Sequence, residues 1–486
     1  MRYVRSVVSW VAAFVVALGS LVLMPASFAM GSSVASGSFA PLELDHPVKP
    51  KPVIRAETVL SPRMRELEID SPAMGGMTKV RVLLPAHFED RATQEWPALM
   101  MLHGYNSSYE AWTTKKGVTT TKDNIAEVTA PYDVLVVMPD GGKSGFYSDW
   151  YNEGEGGPPA YETFHMEELP PLIEERYRGN GRWGIAGTSM GGFGAFSYAA
   201  RHPEKFSFAV SLSGALHPGI YDPFSPFIVT RMQLPQDLDP LDVWGKPLYD
   251  EERWRGHSPM DLAPNLRHTP LFVSYGSGHP APGAQKSDDM TVSGLVKVMG
   301  LEQVVGLMTK AFLQRAEVFE LPVTVRYNEY GLHTGDFWNA DMATWMPALM
   351  DLFAQPQPQQ QPDSFSYRSA ESEFSAWGWS FALDREDLAF TDVNIRFPDF
   401  DFTDLSLFSI SATGDGMLSV VTPPLFTPGR TYALSGALES EIVASVQGRL
   451  SFSFSLGETA EKYGKGPNRV GPRSKALPAR VVVTVV

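Results

Sequence analysis

The stretch W-G-I-A-G-T-S-M-G-G, Trp183 to Gly192, constrains this chain more than any other. An apolar run, Trp183 to Ala186, leads into Gly-Thr-Ser-Met-Gly, and a helix-capable segment, F-G-A-F-S-Y-A-A-R-H, begins at Phe193. G-x-S-x-G between a strand and a helix reads as a nucleophile elbow. The turn is so sharp that the Ser carries strained backbone angles, and small residues two before and two after it let the neighbouring backbone pass. Ser189 is the candidate nucleophile.

The flanking sequence supplies a sheet for such an elbow. R-E-L-E-I-D from Arg65 and K-V-R-V-L-L-P (Lys79 to Pro85) alternate as a strand pair, and A-L-M-M-L-H-G (Ala98 to Gly104) and D-V-L-V-V-M-P (Asp133 to Pro139) are apolar runs of buried-strand type. Helical spacing follows between Glu162 and Tyr177, then strand-like runs at Phe208–Gly214, Leu271–Gly278 and Val323–Glu329. A Pro-rich excursion separates the first two, from about His217 to Pro264, and a helical stretch around Gly294 to Phe319 separates the last two. Strands alternating with helices predict an α/β fold with a mostly parallel sheet. Sites in such sheets gather beyond the carboxyl ends of the strands, where His103, Ser189 and His333 fall.

At 486 residues the chain is long for one domain. Arg2 and Arg5 precede an apolar run from Val7 to Met24 and small residues around Ser27 and Ala29, which predicts a secretory signal over 1–29 and a secreted or cell-envelope location; an uncleaved anchor is the alternative. Residues 30–57, with K-P-K-P at Lys49, read as an irregular lead-in, and 58–354 as the catalytic domain. Q-P-Q-P-Q-Q-Q-P-D at 355–363 is a Pro-rich linker, and the short alternating runs of 364–486 predict an all-β, sandwich-like accessory domain. There, Trp377 and Trp379 could stack on sugar, although alternating Trp in a strand favours core packing. A net charge of −15 leaves no basic surface for nucleic acid. Absence of cysteine excludes disulfides, a thiol nucleophile and thiolate metal sites; no cofactor or metal is expected.

A serine hydroxyl needs a base to take its proton and an acid to orient that base, in the chain order Ser, acid, His. E-Y-G-L-H-T-G-D-F-W puts His333 just past the last strand of the catalytic domain, where the base belongs; His202, His217, His257, His268 and His279 lie at a helix end or in loops. The spacing leaves the acid open between Asp288, Asp289 and Glu302. The oxyanion needs backbone N–H donors, one from Met190 after the nucleophile and one from Tyr105 at the L-H-G-Y-N turn.

The run V-V-M-P-D-G-G-K-S-G-F-Y-S-D-W-Y (Val136 to Tyr151), with Y-E-T-F at Tyr161, E-L-P at Glu168, the elbow, and S-L-S-G at Ser211, resembles the secreted mycolyltransferases of antigen 85 type within the esterase D group of α/β-hydrolases. The likeness spans roughly Val80 to Leu352. It implies a Ser, Glu and His triad, and the family's L-E followed by T-x-x-F matches Leu301-Glu302 and Thr309 to Phe312, which selects Glu302. It also implies His103, Asn106, Asp149, Trp150 and Trp338 as substrate-contacting residues, a lipid-ester donor, and a sugar or glycan acceptor: a mycolyl-type acyl group moving between trehalose esters or onto cell-wall glycan. A secreted carboxylesterase is the alternative, and a non-catalytic envelope binder a remote one. Asn106 stands where the family has an acceptor-contacting Arg, and Gly335 where it has a Trp two after the His. The accessory domain is expected to dock the enzyme on the cell envelope or on its acceptor glycan.

Overall fold

In a computed structural model, the described residues are 50–113, 125–218, 232, 236, 238–239, 241–247, 249–283, 291–355, 362–385, 388–397, 406–456 and 478–485. The expected signal (1–29), most of the lead-in, Asp288, Asp289 and most of the linker lie outside them.

Strands β1 (Val53–Val59), β2 (Met64–Ser71) and β3 (Gly76–Leu83) form an antiparallel meander. β1 occupies part of the stretch read as lead-in. Its residues are mostly exposed and so carry no apolar period; the ladder to β2 and an Arg55–Asp70 ion pair of 2.6 Å hold it instead. The apolar runs then become β4 (Trp96–Leu102), β5 (Leu135–Pro139), β6 (Gly179–Thr188), β7 (Phe206–Leu212), β8 (Leu271–Gly276) and β9 (Val323–Asn328). The nine-stranded sheet runs β1-β2-β3-β5-β4-β6-β7-β8-β9 and is parallel from β5 onward.

Helices α1 (Leu169–Tyr177), α2 (Met190–Arg201), α3 (Val292–Val318) and α4 (Gly335–Ala354) cover the sheet. One face packs Met100, Ile185, Phe196 and Phe312, the other Leu99, Phe208, Trp345 and Leu349, which is why the central strands read as unbroken apolar runs. β4 and β6 are adjacent, so the turns that leave them meet at the carboxyl edge.

The remainder is a β-sandwich. Strands β10 (Ser364–Ser369), β11 (Glu373–Ala376), β12 (Trp379–Asp384), β13 (Thr391–Arg396), β14 (Ser406–Thr413), β15 (Met417–Val421), β16 (Thr431–Ser435), β17 (Glu441–Val443), β18 (Ser451–Ser455) and β19 (Ala479–Val485) make two antiparallel sheets, β10-β13-β14-β19-β16-β17 and β11-β12-β15-β18. Phe381, Leu418 and Phe454 from one and Val393, Ile410 and Val483 from the other share a single core. Trp379 lies fully buried in it, whereas Trp377 is half-buried and packs edge-on against His268 of the catalytic domain.

The sandwich is seated on the end of α2. Asn265, from the excursion side, donates to Ala200 O and to Arg368 O, both at 2.9 Å, and accepts from Arg368 N at 2.7 Å. Tyr367 Oη donates to Arg201 O at 2.7 Å, and the Arg201 guanidinium lies between Glu162 at 2.7 Å and Glu371 at 3.4 Å. Burial alone would raise the Glu162 carboxyl, but Arg201 and the His202 hydrogen bond hold it well below the usual range. Asn265→Ala strips three hydrogen bonds from this buried junction. It is expected to lower the unfolding free energy by about 2–3 kcal/mol while leaving one cooperative urea transition; two separated transitions in the wild type would show that the domains unfold independently.

Candidate active site

At the end of β6 the chain reverses at Ser189, whose φ of 55° and ψ of −117° are strained for a residue with a side chain. Ser189 N donates to Leu212 O at 3.0 Å, and its carbonyl accepts from Phe193 N at 3.1 Å, which starts α2. The glycines around it are required by contact. A Cβ on Gly187 would strike the Gly191 carbonyl group, one on Gly191 would strike the Leu102 carbonyl, and one on Gly192 would lie 2.8 Å from Gly214 Cα. The elbow, the end of β4 and the turn after β7 are therefore in backbone contact.

The expected acid and base come from the next two segments. Glu302 on α3 is 1% exposed. Its Oε2 lies 2.8 Å from His333 Nδ1, and its Oε1 accepts from Ser213 Oγ at 2.9 Å and Gly276 N at 2.5 Å. A carboxylate with these partners fixes the His333 proton on Nδ1 and leaves the Nε2 lone pair to act as base. Trp338, expected to touch substrate, is instead buried: its indole meets the His333 ring edge-on at 5.0 Å and donates from Nε1 to Ser213 Oγ at 3.0 Å. Trp338, Ser213, Glu302 and His333 thus form one hydrogen-bonded and packed series. Among the described residues no hydrogen bond joins Ser189 to His333; Ser189 connects to the series through Leu212, the residue before Ser213.

The turn after β4 approaches Ser189 from the other side. A Cβ on Gly104 would sit 3.4 Å from Ser189 Cβ, and Asn106 closes the turn with φ 55° and an N–H bond to Lys143 O at 2.7 Å. The amides of Tyr105, on this turn, and of Met190, the first residue of α2, are thereby carried to two segments that meet at Ser189.

His103, also expected among the substrate contacts, is 1% exposed and fully engaged. Its Nε2 accepts from Gly141 N at 2.9 Å, which leaves the proton on Nδ1 for Gly104 O at 2.9 Å. Beneath it, Phe146 and Tyr147 take left-handed φ of 50° and 51°, which turns Tyr147 inward so that its hydroxyl donates to His103 O at 2.7 Å. His103 and Tyr147 pin the Gly104 turn.

Asp149 and Trp150 are committed to the scaffold too. Both Asp149 oxygens accept from Thr163, at 2.9 Å from its amide and 2.6 Å from its hydroxyl, and Trp150 Nε1 donates to Gly145 O at 3.1 Å. Of the five expected substrate contacts, Asn106 and Asp149 are exposed; Asn106 keeps its side chain outside the scaffold, where Gln236 Nε2 reaches its Oδ1 and Tyr105 Oη at 3.3 Å each. Ser213, the Gly276 amide, Tyr147 and Gln236 were not singled out from sequence. Ser213 and Gly276 carry one available signal, their position at strand ends beside the elbow.

A family model described as a putative esterase matches residues 71–349. Among curated proteins the chain is similar to Esterase Rv1288 of Mycobacterium tuberculosis, 32% identical over 222 residues that cover 44% of this chain and 46% of that one. It is similar to the diacylglycerol acyltransferase/mycolyltransferase Ag85B of Mycolicibacterium smegmatis, 34% identical over 168 residues, 32% of this chain and 50% of that one. The chain thus spans about half the length of these two curated relatives. Among solved structures it is similar to Mycobacterium tuberculosis MPT51, at 21% identity over 58% of this chain and 96% of that one, with a TM-score of 0.47.

Ser213→Ala removes one donor from Glu302 and the acceptor of Trp338. It is expected to lower kcat/KM on a soluble activated ester about tenfold with the fold retained; an unchanged rate would show that this series does not orient His333. A second expectation concerns acid. His165 is fully buried, accepts from Tyr198 Oη at 2.9 Å and donates to Asp140 O at 3.1 Å, and burial pushes it from 6.5 down to about 4. His257 is lowered too, by burial and then by Arg201. Between these values the folded chain binds fewer protons than the unfolded one. Stability should therefore be full above pH 6.5 and fall as the pH drops towards 4, by up to ~1.4 kcal/mol per pH unit for each such histidine. Urea unfolding across that range should show the slope, and His165→Phe should flatten it.

Proposed function

The chain belongs to the putative esterase family, and from that premise we propose that it is a serine acyltransferase of the cell envelope working through an acyl-enzyme on Ser189. The observation that carries this reading is the 2.8 Å pairing of Glu302 with His333, at the edge where the Ser189 elbow opens. On binding, the Ser189 hydroxyl and His333 Nε2 close to hydrogen-bond distance, as commonly happens only when substrate is in place. Ser189 Oγ then attacks the ester carbonyl carbon while its proton passes to His333 Nε2. The carbonyl π pair moves to oxygen, where the Tyr105 and Met190 amides stabilise it. When that pair re-forms the C=O bond, the C–O bond to the leaving alcohol breaks, and His333 returns the proton to the alcohol. An acceptor hydroxyl repeats the sequence in reverse and frees Ser189. Glu302 stays charged throughout and stabilises the imidazolium.

The donor in this reading is a lipid ester and the acceptor a sugar or glycan hydroxyl, with a mycolyl-type acyl group moved between trehalose esters or onto cell-wall glycan. Its support is that one relative is named an esterase and another a diacylglycerol acyltransferase/mycolyltransferase. Residues 1–29 supply the sequence argument for export. Hydrolysis is the second reading. Asn106 and Gly335 favour it, because they stand where the resembling family presents an acceptor-contacting Arg and a Trp.

A fluorophosphonate should label the wild type at Ser189 and leave Ser189→Ala unlabelled. Glu302→Gln should lower kcat/KM on the order of a thousandfold, since the amide holds the imidazole in the wrong tautomer. With a labelled trehalose ester and added trehalose, a new glycolipid identifies the transferase and free acid alone the esterase; absence of both, with no labelling, would overturn the reading.

A further inference from the structure

The longest helix exposes an apolar flank beside the site. Along α3, Val292, Val296, Leu307 and Val318 are 71%, 61%, 66% and 70% exposed. Nothing on its first ten residues is buried, although they include Leu295, Val298 and Met299. The surface continues onto the sheet. Lys310, one turn after Leu307, places Nζ 5.9 Å from the centre of the Tyr275 ring, and Tyr275 packs on Tyr327 at 5.1 Å. Tyr327, Val325 on the same face of β9, and Tyr330 just beyond are all exposed. The helix is long and apolar enough to cross a membrane, but Glu302 is locked to His333 and Phe312 is fully buried, so only the outward flank can meet an apolar phase.

Two features say which phase. From Val292 to Gln314 the charged side chains are Lys297, Glu302 and Lys310. With Glu302 buried, both outward charges over that stretch are positive, in a chain whose net charge is −15; Arg315 and the exposed Glu317 follow in the last turn and balance each other. Apolar residues with lysines that can snorkel, flanked by tyrosines, are the composition of a helix lying in an anionic lipid interface. The flank also borders the mouth, because His333 N donates to Val298 O at 3.4 Å.

We propose that this flank of α3, with Val325, Tyr327 and Tyr330, seats the catalytic edge on an anionic lipid surface. The proposal rests on the lipid-ester reading above. β9 is the open edge of the sheet, so a second copy is the competing occupant; a two-fold contact there would bring like lysines together, which disfavours it.

The test uses the full chain with vesicles of phosphatidylcholine, with or without phosphatidylglycerol, alongside a soluble activated ester. The wild type should co-sediment with the phosphatidylglycerol vesicles, less so at high salt. Val292→Ser, Val296→Ser and Leu307→Ser together should weaken binding about tenfold or more while the soluble-ester rate stays within about twofold. Lys297→Gln with Lys310→Gln should abolish the preference for phosphatidylglycerol. Absence of wild-type binding, or unchanged binding by the triple variant, would overturn the proposal. So would a triple variant that turns a dimer into a monomer in light scattering without losing vesicles. Ser189 labelling and soluble-ester turnover report on the enzyme reading alone, so either conclusion can fail while the other stands.

Discussion

A single buried carboxylate organises the candidate site of this chain. Glu302 is removed from water, and a carboxylate there is tolerable only because each oxygen is bonded, by His333 on one side and by Ser213 and the Gly276 amide on the other. Those partners come from the turn after β7, the last residue of β8 and the loop after β9, and the carboxylate itself from α3. Satisfying one charge therefore sets four segments against one another. Loss of any one partner leaves part of the charge unpaired, at a cost that hydrogen bonds to charged groups put at about 1.5–3 kcal/mol. The imidazole inherits its orientation from that requirement.

Ser189, the candidate nucleophile, is held by a different force, contact between backbones. Ser189 keeps its left-handed φ because Gly187, Gly191 and Gly192 let β4, β6 and the turn after β7 approach to distances that any side chain would forbid. The turn that faces it is fixed from below. Tyr147 and His103 satisfy the carbonyls of residues 103 and 104, and the strained backbone at Phe146 and Tyr147 turns the phenol inward to do so. Strain at two places is balanced by packing and hydrogen bonding around both.

What was legible in the sequence was local. The elbow announces itself within ten residues, and the runs that became β4 to β8 are apolar because both faces of the sheet are covered. The acid was not legible from spacing. Glu302 and His333 are 31 positions apart, and the helix around Glu302 resembles any apolar helix, so the choice against Asp288 and Asp289 needed a family pattern. His103, Asp149, Trp150 and Trp338 lie in the distinctive loops, but the direction of a side chain does not follow from its motif. His103, Trp150 and Trp338 are buried, and the exposed Asp149 ties its loop to Thr163. β1 escaped notice because a strand held by its ladder and an ion pair, with little buried, has no apolar rhythm to read.

The least legible feature changes how the two halves relate. A Pro- and Gln-rich linker suggests a tethered accessory domain, yet the sandwich grips the carboxyl end of α2 through Tyr367 and Glu371, with Asn265 bridging Ala200 to Arg368. α2 begins right after Ser189. A twelve-residue helix is about 18 Å long and stiff, so a domain that fixes its last turn also limits how far its first turn can shift. The residues that make this junction are an Asn, a Tyr, an Arg and two Glu, each ordinary on a surface. Only their convergence on the free carbonyls at one helix end gives them a structural role, and convergence is a property of the fold that no stretch of the chain displays by itself.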